Sequence, residues 1–170
     1  MRMVRFVAGE LGMVIAVAIF LLAFGASAAG AKGLPADVCT LLSSAQLQKT
    51  LGQAFGPAVE ATAPAAYRGQ SSGKNCTYTA LKDRDLEVTL IFYVDKSPSE
   101  AKETFQKLSM WFPPKSRPSG IGDSAYLDSN HAVHVLKGSD RYFISIGSRA
   151  SAAVREKQEQ ELAIAVAAEI

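Results

Sequence analysis

Residues 86–95 read LEVTLIFYVD, and this stretch decides the fold class. Apolar side chains occupy every second position and would share one face of an extended chain: Leu86, Val88, Leu90, Phe92 and Val94. The opposite face is mostly polar, and Ile91 is its aliphatic exception. A strand with one dry and one wet face is typical of an antiparallel sheet. The stretch therefore favours such a sheet over a doubly wound parallel one.

The neighbouring segments extend this sheet. A strand at residues 75–81 precedes the charged turn 82–85, and the two strands form a predicted hairpin. Three more strands are predicted after residue 120, separated by the turn signals DSN and GSD: 124–128, 131–137 and 141–147. Residues 58–74 are rich in Ala, Ser, Gly and Pro, which indicates a surface excursion with at most one short strand.

Two helices carry clear start and stop signals. Ser43 is a predicted N-cap with Gln46 completing a capping box, and Gly52 ends that helix. Ser97 is the predicted N-cap of the second helix, which should end near Trp111 because two prolines follow.

A third helix is predicted from residue 151 onward. Residues 155–161 are all polar, so only the last turns of this helix should dock firmly. The expected fold class is α+β, with an antiparallel sheet of five to six strands, helices packed on one face, and a signal peptide ahead of the domain.

The N-terminal segment has the pattern of an export signal. Two arginines precede fourteen uncharged residues, 11–24, and small residues follow at 25–31. We expect residues 1–31 to be a signal peptide cleaved after Ala28 or Ala31, which leaves residues 32–170 as one domain. The alternative is that residues 11–31 stay as an N-terminal membrane anchor. The expected location is periplasmic or secreted, or anchored to the inner membrane if the segment is kept.

Composition argues against a nucleic-acid partner. The chain has 18 Lys and Arg against 16 Asp and Glu. A phosphate-binding surface needs a concentrated positive field, and this balance offers none.

Cys39 and Cys76 are the two cysteines, and in an exported chain they predict a disulfide. Closing a loop of this size would stabilise the domain by about 4 kcal/mol in the chain-entropy model. Neither cysteine lies in a CxxC pair, so a metal or redox role is disfavoured.

The sequence patterns show no complete set of catalytic, metal-ligating or phosphate-binding residues. His131 and His134 would point to opposite faces of a strand, so they cannot share a metal ion. Gly120, Gly122 and Asp123 resemble a glycine-rich motif but lack the lysine and helix of a phosphate loop, so they predict a tight turn in which Asp123 bonds local amides. We therefore assign no catalytic residue, no metal and no cofactor.

Trp111 and Phe112 end the second helix beside a rigid Pro-Pro turn. The rings are expected to close the edge of the core. An exposed ring would instead mark a surface for a partner or ligand.

Three short motifs carry a resemblance to a known class. They are VCTLL at 38–42, NCTY at 75–78 and GIGDSAY at 120–126. Together they resemble exported bacterial two-cysteine domains of unknown function, including actinobacterial envelope lipoprotein families. The resemblance implies an extracytoplasmic α+β domain of PsbP-like type, with no catalytic residues to transfer. The chain departs from the lipoprotein members because it lacks their lipid-bearing cysteine.

The leading functional hypothesis is a non-catalytic envelope protein that binds another protein or a small ligand. The second is an extracytoplasmic, hydrolase-like enzyme with dispersed catalytic residues, and the third is a membrane-tethered accessory domain. A buried His131 or His134 bonded to a carboxylate in a deep cleft would argue for the enzyme. Clustering of Asp123 with a histidine and a serine would do the same, and their dispersal would argue against it.

Overall fold

A computed structural model of the chain describes residues 35–65 and 72–170. The predicted signal peptide or anchor, residues 1–31, lies outside the described residues. The strands are β1 (Val59–Ala63), β2 (Gly73–Thr79), β3 (Glu87–Val94), β4 (Pro114–Ser116), β5 (Ser124–Asp128), β6 (Val133–Lys137) and β7 (Asp140–Gly147). The α-helices are α1 (Ser44–Leu51), α2 (Pro98–Trp111) and α3 (Ala152–Glu169), and a short 3-10 helix covers Val38–Thr40. No helix in this described part is long and apolar enough to cross a membrane.

The strands form one antiparallel sheet in the order β1-β2-β3-β7-β6-β5-β4. Strands β3 and β7 lie at its centre and pair over eight residues, from Glu87 opposite Gly147 to Val94 opposite Asp140. The α+β prediction is confirmed, and the predicted alternation of β3 matches its burial, since Val88, Leu90 and Phe92 are fully buried.

One face of the sheet carries the main core, which we call the α3 face. Leu90 of β3 and Ile144 of β7 pack there with Leu162 and Val166 of α3. Leu47 of α1 belongs to the same cluster. Burial of these apolar side chains is the main favourable contribution to the stability of the domain.

Among the described residues the sheet has seven strands, so the expected count of five to six was too low. Strand β1 lies in the stretch 58–74, where at most one short strand was expected, whereas β4 was not expected; the two lie at opposite edges of the sheet. Strand β1 is exposed along most of its length and therefore lacks the apolar alternation that would predict it. Strand β4 has three residues and begins with Pro114, a residue that an edge strand tolerates because its missing N–H can face away from the ladder.

The expectation that helices cover one face was wrong. Helix α2 lies on the opposite face, which we call the α2 face, where Ala101 and Phe105 pack with Tyr126 and Leu136. Tyr126 alternates along β5 with two neighbours that point into the α3-face core, so it must point the other way. The few apolar side chains on this face are enough to hold one helix.

The predicted helix signals are confirmed. Ser43 and Gln46 form the capping box, with the Gln46 amide donating to Ser43 Oγ at 3.2 Å and the Ser43 amide donating to Gln46 Oε1 at 2.7 Å. Gly52 ends α1 in the left-handed region, with φ +72°. Ser97 caps α2, and that helix ends at Trp111.

The predicted disulfide is also confirmed. Cys39 and Cys76 are bonded at an S–S distance of 2.08 Å, which ties the 3-10 helix to β2. The Tyr78 hydroxyl donates to the Cys39 carbonyl at 2.8 Å beside the bridge. A disulfide is compatible with an oxidising location outside the cytoplasm.

Helix α3 docks over more of its length than its polar run indicates. Glu159, inside that run, is fully buried, and its Oε1 accepts the amide of Ile146 in β7 at 2.9 Å. Its Oε2 has no hydrogen-bond partner among the described residues. Burial raises the pKa of Glu159 to about 8, although the Ile146 hydrogen bond acts in the opposite direction.

This buried carboxyl predicts a pH-dependent stability. The folded state holds the Glu159 proton up to about pH 8, whereas the unfolded chain releases it near pH 4.5. The free energy of unfolding should therefore fall as pH rises between these values, by at most about 1.4 kcal/mol per pH unit from this group. Urea unfolding of the wild type and of Glu159→Gln across this range should show that slope only in the wild type.

The exposed Glu161 on the same helix supplies the control. Glu161→Gln should retain the wild-type slope, because it changes an exposed carboxyl of the same helix and leaves the buried Glu159 in place. An unchanged slope in Glu159→Gln would contradict the assignment.

Candidate functional site

A cavity of about 370 Å³ lies between α2 and the α2 face of the sheet. Its apolar wall consists mainly of Phe105 and Leu108 on α2, Phe112 just beyond the helix, and Phe143 on β7. Its polar lining consists of Asp128, Asn130, His134, Arg141 and Ser145. A concave, mostly apolar space of this size with a few polar groups is typical of a small-molecule site.

The stripe on α2 explains how this cavity forms. Ala101 and Phe105 are buried against the sheet, and the Phe105 and Tyr126 ring centroids are 5.1 Å apart at an interplanar angle of 60°. Leu108, one turn further on, is only half-buried and lines the cavity. The helix is thus anchored at its N-terminal half and leaves space beneath its C-terminal half.

A buried histidine–carboxylate pair forms one wall. His134 Nε2 lies 3.0 Å from Asp128 Oδ2, and both side chains are buried. Asp128 Oδ1 accepts the amides of Asn130 at 2.8 Å and Ala132 at 2.9 Å. Asp128 therefore organises the β5–β6 turn, where His131 has a φ of +66°, and orients the His134 ring at the same time.

Hydrogen bonding decides the charge state of Asp128. Burial alone would raise its pKa, but the bonds from His134 and from the Ala132 and Asn130 amides outweigh burial and lower it. Asp128 is therefore an ionised carboxylate at neutral pH.

Aromatic rings surround His134. The Tyr126 ring is stacked on it at 4.5 Å between centroids and 9° between planes. Phe112 lies at 5.7 Å and Phe143 at 5.3 Å. The imidazole is thus held by rings as well as by Asp128, and its orientation is fixed before any ligand arrives.

A second buried polar pair lies at the other end of the cavity. Arg141 donates to Asp95 through Nε and through Nη2, the latter at 3.1 Å. The guanidinium carbon lies 5.2 Å from the centroid of the Tyr93 ring. The Nη1 donors of Arg141 take no part in this ion pair.

The structure separates the residues that the sequence singled out. Phe112 lines the cavity and is 39% exposed, whereas Trp111 is 71% exposed, so the expectation that these rings close the core edge was wrong for Trp111.

The Gly120–Gly122–Asp123 turn is not part of the cavity lining. Both glycines have positive φ, and a Cβ on Gly122 would lie 2.5 Å from the Leu136 carbonyl oxygen. Asp123 Oδ2 accepts the Gly138 amide at 2.7 Å, so its partner is in the β6–β7 turn and not local as expected. This hydrogen bond therefore links the loop that precedes β5 to the β6–β7 turn.

His131 has a different partner from His134. Its Nδ1 lies 2.9 Å from Glu156 Oε1 on α3, and Glu156 also pairs with Lys115. The two histidines thus act on separate carboxylates.

One group of described residues has metal-ligating atoms close together: Asp37, Cys39 and Glu60. Cys39 Sγ is bonded to Cys76, so the thiolate that would bind a metal is not available. Two carboxylates remain, which is a poor ligand set.

Sequence reasoning missed Asp128, Arg141 and Asp95 as members of the site. The sequence of β7 does mark Arg141. This charged residue is two positions from Phe143, so both side chains lie on the same face of the strand. Nothing comparable marks Asp128, which lies within a common turn pattern.

Comparison with known proteins adds no family. No protein-family model matches the chain, and a search of curated proteins finds no match. The expected PsbP-like resemblance is therefore unsupported. The disulfide between Cys39 and Cys76 is observed.

The geometry of Asp128 predicts a large loss of stability when its carboxylate is removed. Asp128→Ala leaves two backbone amides and His134 without their acceptor, so the free energy of unfolding should fall by about 3 kcal/mol at neutral pH. The part of this contribution that depends on the ionised carboxylate should be complete above the ordinary carboxyl pKa of 3.8 and be lost as pH falls through the lowered pKa of the folded state. Urea unfolding at several pH values measures both effects.

Asp83 is the matched control, because its Oδ1 accepts the Asp85 amide in an exposed turn at 3.1 Å. Asp83→Ala should cost less than about 1 kcal/mol. Equal losses for the two variants would show that Asp128 has no special role.

Proposed function

We propose that this protein is a non-catalytic, extracytoplasmic domain that binds a small, largely apolar ligand in the cavity beneath α2. The observation that carries the proposal is the cavity itself, with Phe105, Leu108, Phe112 and Phe143 on its walls. Transfer of an apolar ligand from water to such a lining is favourable in proportion to the area buried.

The polar groups give the proposed site its selectivity. His134 and Arg141 are each held by a carboxylate, at 3.0 Å for His134 and through a two-point ion pair for Arg141. Groups held in this way need no reordering when a ligand binds, which lowers the entropic cost of binding. The preferred ligand therefore has an apolar body and a few hydrogen-bonding atoms.

The location is part of the proposal. The leader-like residues 1–31 and the disulfide favour a periplasmic or secreted protein. Retention of residues 11–31 as an anchor would place the same domain beside the inner membrane, without altering the cavity.

An enzyme is the second candidate, because a buried histidine bonded to a carboxylate would argue for one and His134 is paired in this way with Asp128. A hydrolase of the serine or threonine type, the kind that these residues could form, needs its hydroxyl within hydrogen-bond reach of the base. Ser145 lines the same cavity, yet in the described part of the chain no serine or threonine hydroxyl is hydrogen-bonded to His134. Asp123 lies outside the cavity lining. The arrangement therefore supports binding better than hydrolysis.

Filling the cavity tests the binding proposal. The neutral probe N-phenylnaphthylamine should bind the wild type with increased emission, and Leu108→Trp should weaken its affinity about tenfold or more, because the larger side chain occupies the space. Titration by fluorescence and calorimetry measures this change.

Leu81→Trp is the matched control, since Leu81 is 66% exposed and lies outside the cavity lining. It should bind the probe like the wild type. No probe binding by the wild type, or equal binding by Leu108→Trp, would refute the proposal.

Hydrolysis of a neutral aryl ester separates the two candidates. A binding domain should show the same slow rate in the wild type and in His134→Gln. An enzyme that uses His134 as a general base should lose about a hundredfold or more of its hydrolysis rate in the variant.

A further inference from the structure

The end of α2 exposes consecutive large apolar side chains. Met110 and Trp111 are 70% and 71% exposed, and Phe112 follows at 39%. We call residues 110–117 the α2 tip. An exposed apolar cluster of this kind at a helix end marks an interaction surface.

The chain around the α2 tip is basic. Between Glu103 and Asp123 it carries three positive residues and no acidic one: Lys107, Lys115 and Arg117. Lys107 pairs with Glu103 and Lys115 with Glu156, yet both lysine side chains remain about half exposed, at 52% and 48%. Arg117 is exposed and makes no ion pair with a described residue.

The α2 tip is held in place by the sheet. Pro113 and Pro114 stop the helix, and β4 then pairs with β5 at the edge of the sheet. A surface fixed in this way loses little conformational freedom on binding.

We propose that the α2 tip binds the surface of an anionic phospholipid bilayer. Trp111 and Met110 would enter the interfacial region, where tryptophan is favoured because its ring is apolar and its N–H is polar. Arg117, which makes no ion pair with a described residue, would lie at the level of the phosphates and add electrostatic attraction. Lys115 is directed toward Glu156 on α3 and is not counted in this attraction.

Charge complementarity and shape select this occupant. Two protruding side chains at a helix end need no preformed pocket in a fluid interface, whereas a protein partner would have to supply one. The inference does not depend on the ligand proposed for the cavity, because the two most exposed apolar residues, Met110 and Trp111, are not among the cavity lining residues.

Trp111 is the single tryptophan of the chain, so its emission reports on the α2 tip alone. This holds for the full-length protein even if another segment enters the bilayer. Vesicles of about one-third phosphatidylglycerol in phosphatidylcholine should shift the emission to shorter wavelength and protect it from acrylamide. Lipids brominated near the headgroup should quench it.

Two variants that keep the tryptophan test the attribution. Arg117→Gln should weaken the affinity for anionic vesicles about fivefold, the effect of one cationic side chain near such a surface, and reduce its dependence on salt. Met110→Ser should also weaken it, through the loss of a buried apolar side chain.

Val59→Ser is the matched control, because Val59 is 67% exposed on the opposite edge strand of the sheet. It should behave as the wild type. The proposal would be overturned if anionic vesicles did not shift the Trp111 emission and if brominated lipids did not quench it. Equal affinity of Arg117→Gln, Met110→Ser and the wild type, or a response to an acidic protein but not to vesicles, would also overturn it.

Discussion

Strands β3 and β7 pair over eight residues at the centre of the sheet, and the period of two along this pair governs the rest of the structure. Tyr142 and Ile144 point into the α3-face core, while Phe143 between them points to the cavity. A register shift of one residue would move the core-facing side chains to the cavity face and the cavity-facing ones to the core. Arg141 would then lie among the aliphatic side chains. The core and the cavity are thus two consequences of one pairing.

Arg141 and His134 are tolerated as buried groups on the α2 face because each has a carboxylate partner. Arg141 lies against Asp95, and His134 lies against Asp128, whose other oxygen accepts two amides. A buried polar group costs free energy unless it is hydrogen-bonded. The same bonds that remove this cost keep the side chains in fixed orientations, so the stability of the domain and the shape of the cavity depend on the same contacts.

The fold could be predicted to the extent that local rules decide it. Ser43, Gln46 and Gly52 bound α1 through caps that involve only neighbouring residues, and the alternation of β3 needs no distant partner. The burial of Glu159 could not be predicted, because its acceptor role depends on an amide of β7 thirteen residues away. The cavity has the same limitation. Asp128 and Arg141 meet around it only because β5, β6 and β7 are neighbours in the sheet.

The strand order also constrains when the chain can fold. Strand β3 has β7 as its neighbour, although Glu87 and Gly147 are paired across sixty positions of sequence. Strand β3 therefore lacks its central partner until β7, the last strand in the sequence, is present. Contacts between residues so far apart in sequence form slowly. A nascent chain that lacks β7 and α3 has no complete hydrophobic core. This order of strands therefore delays complete folding until nearly the whole of the domain is available.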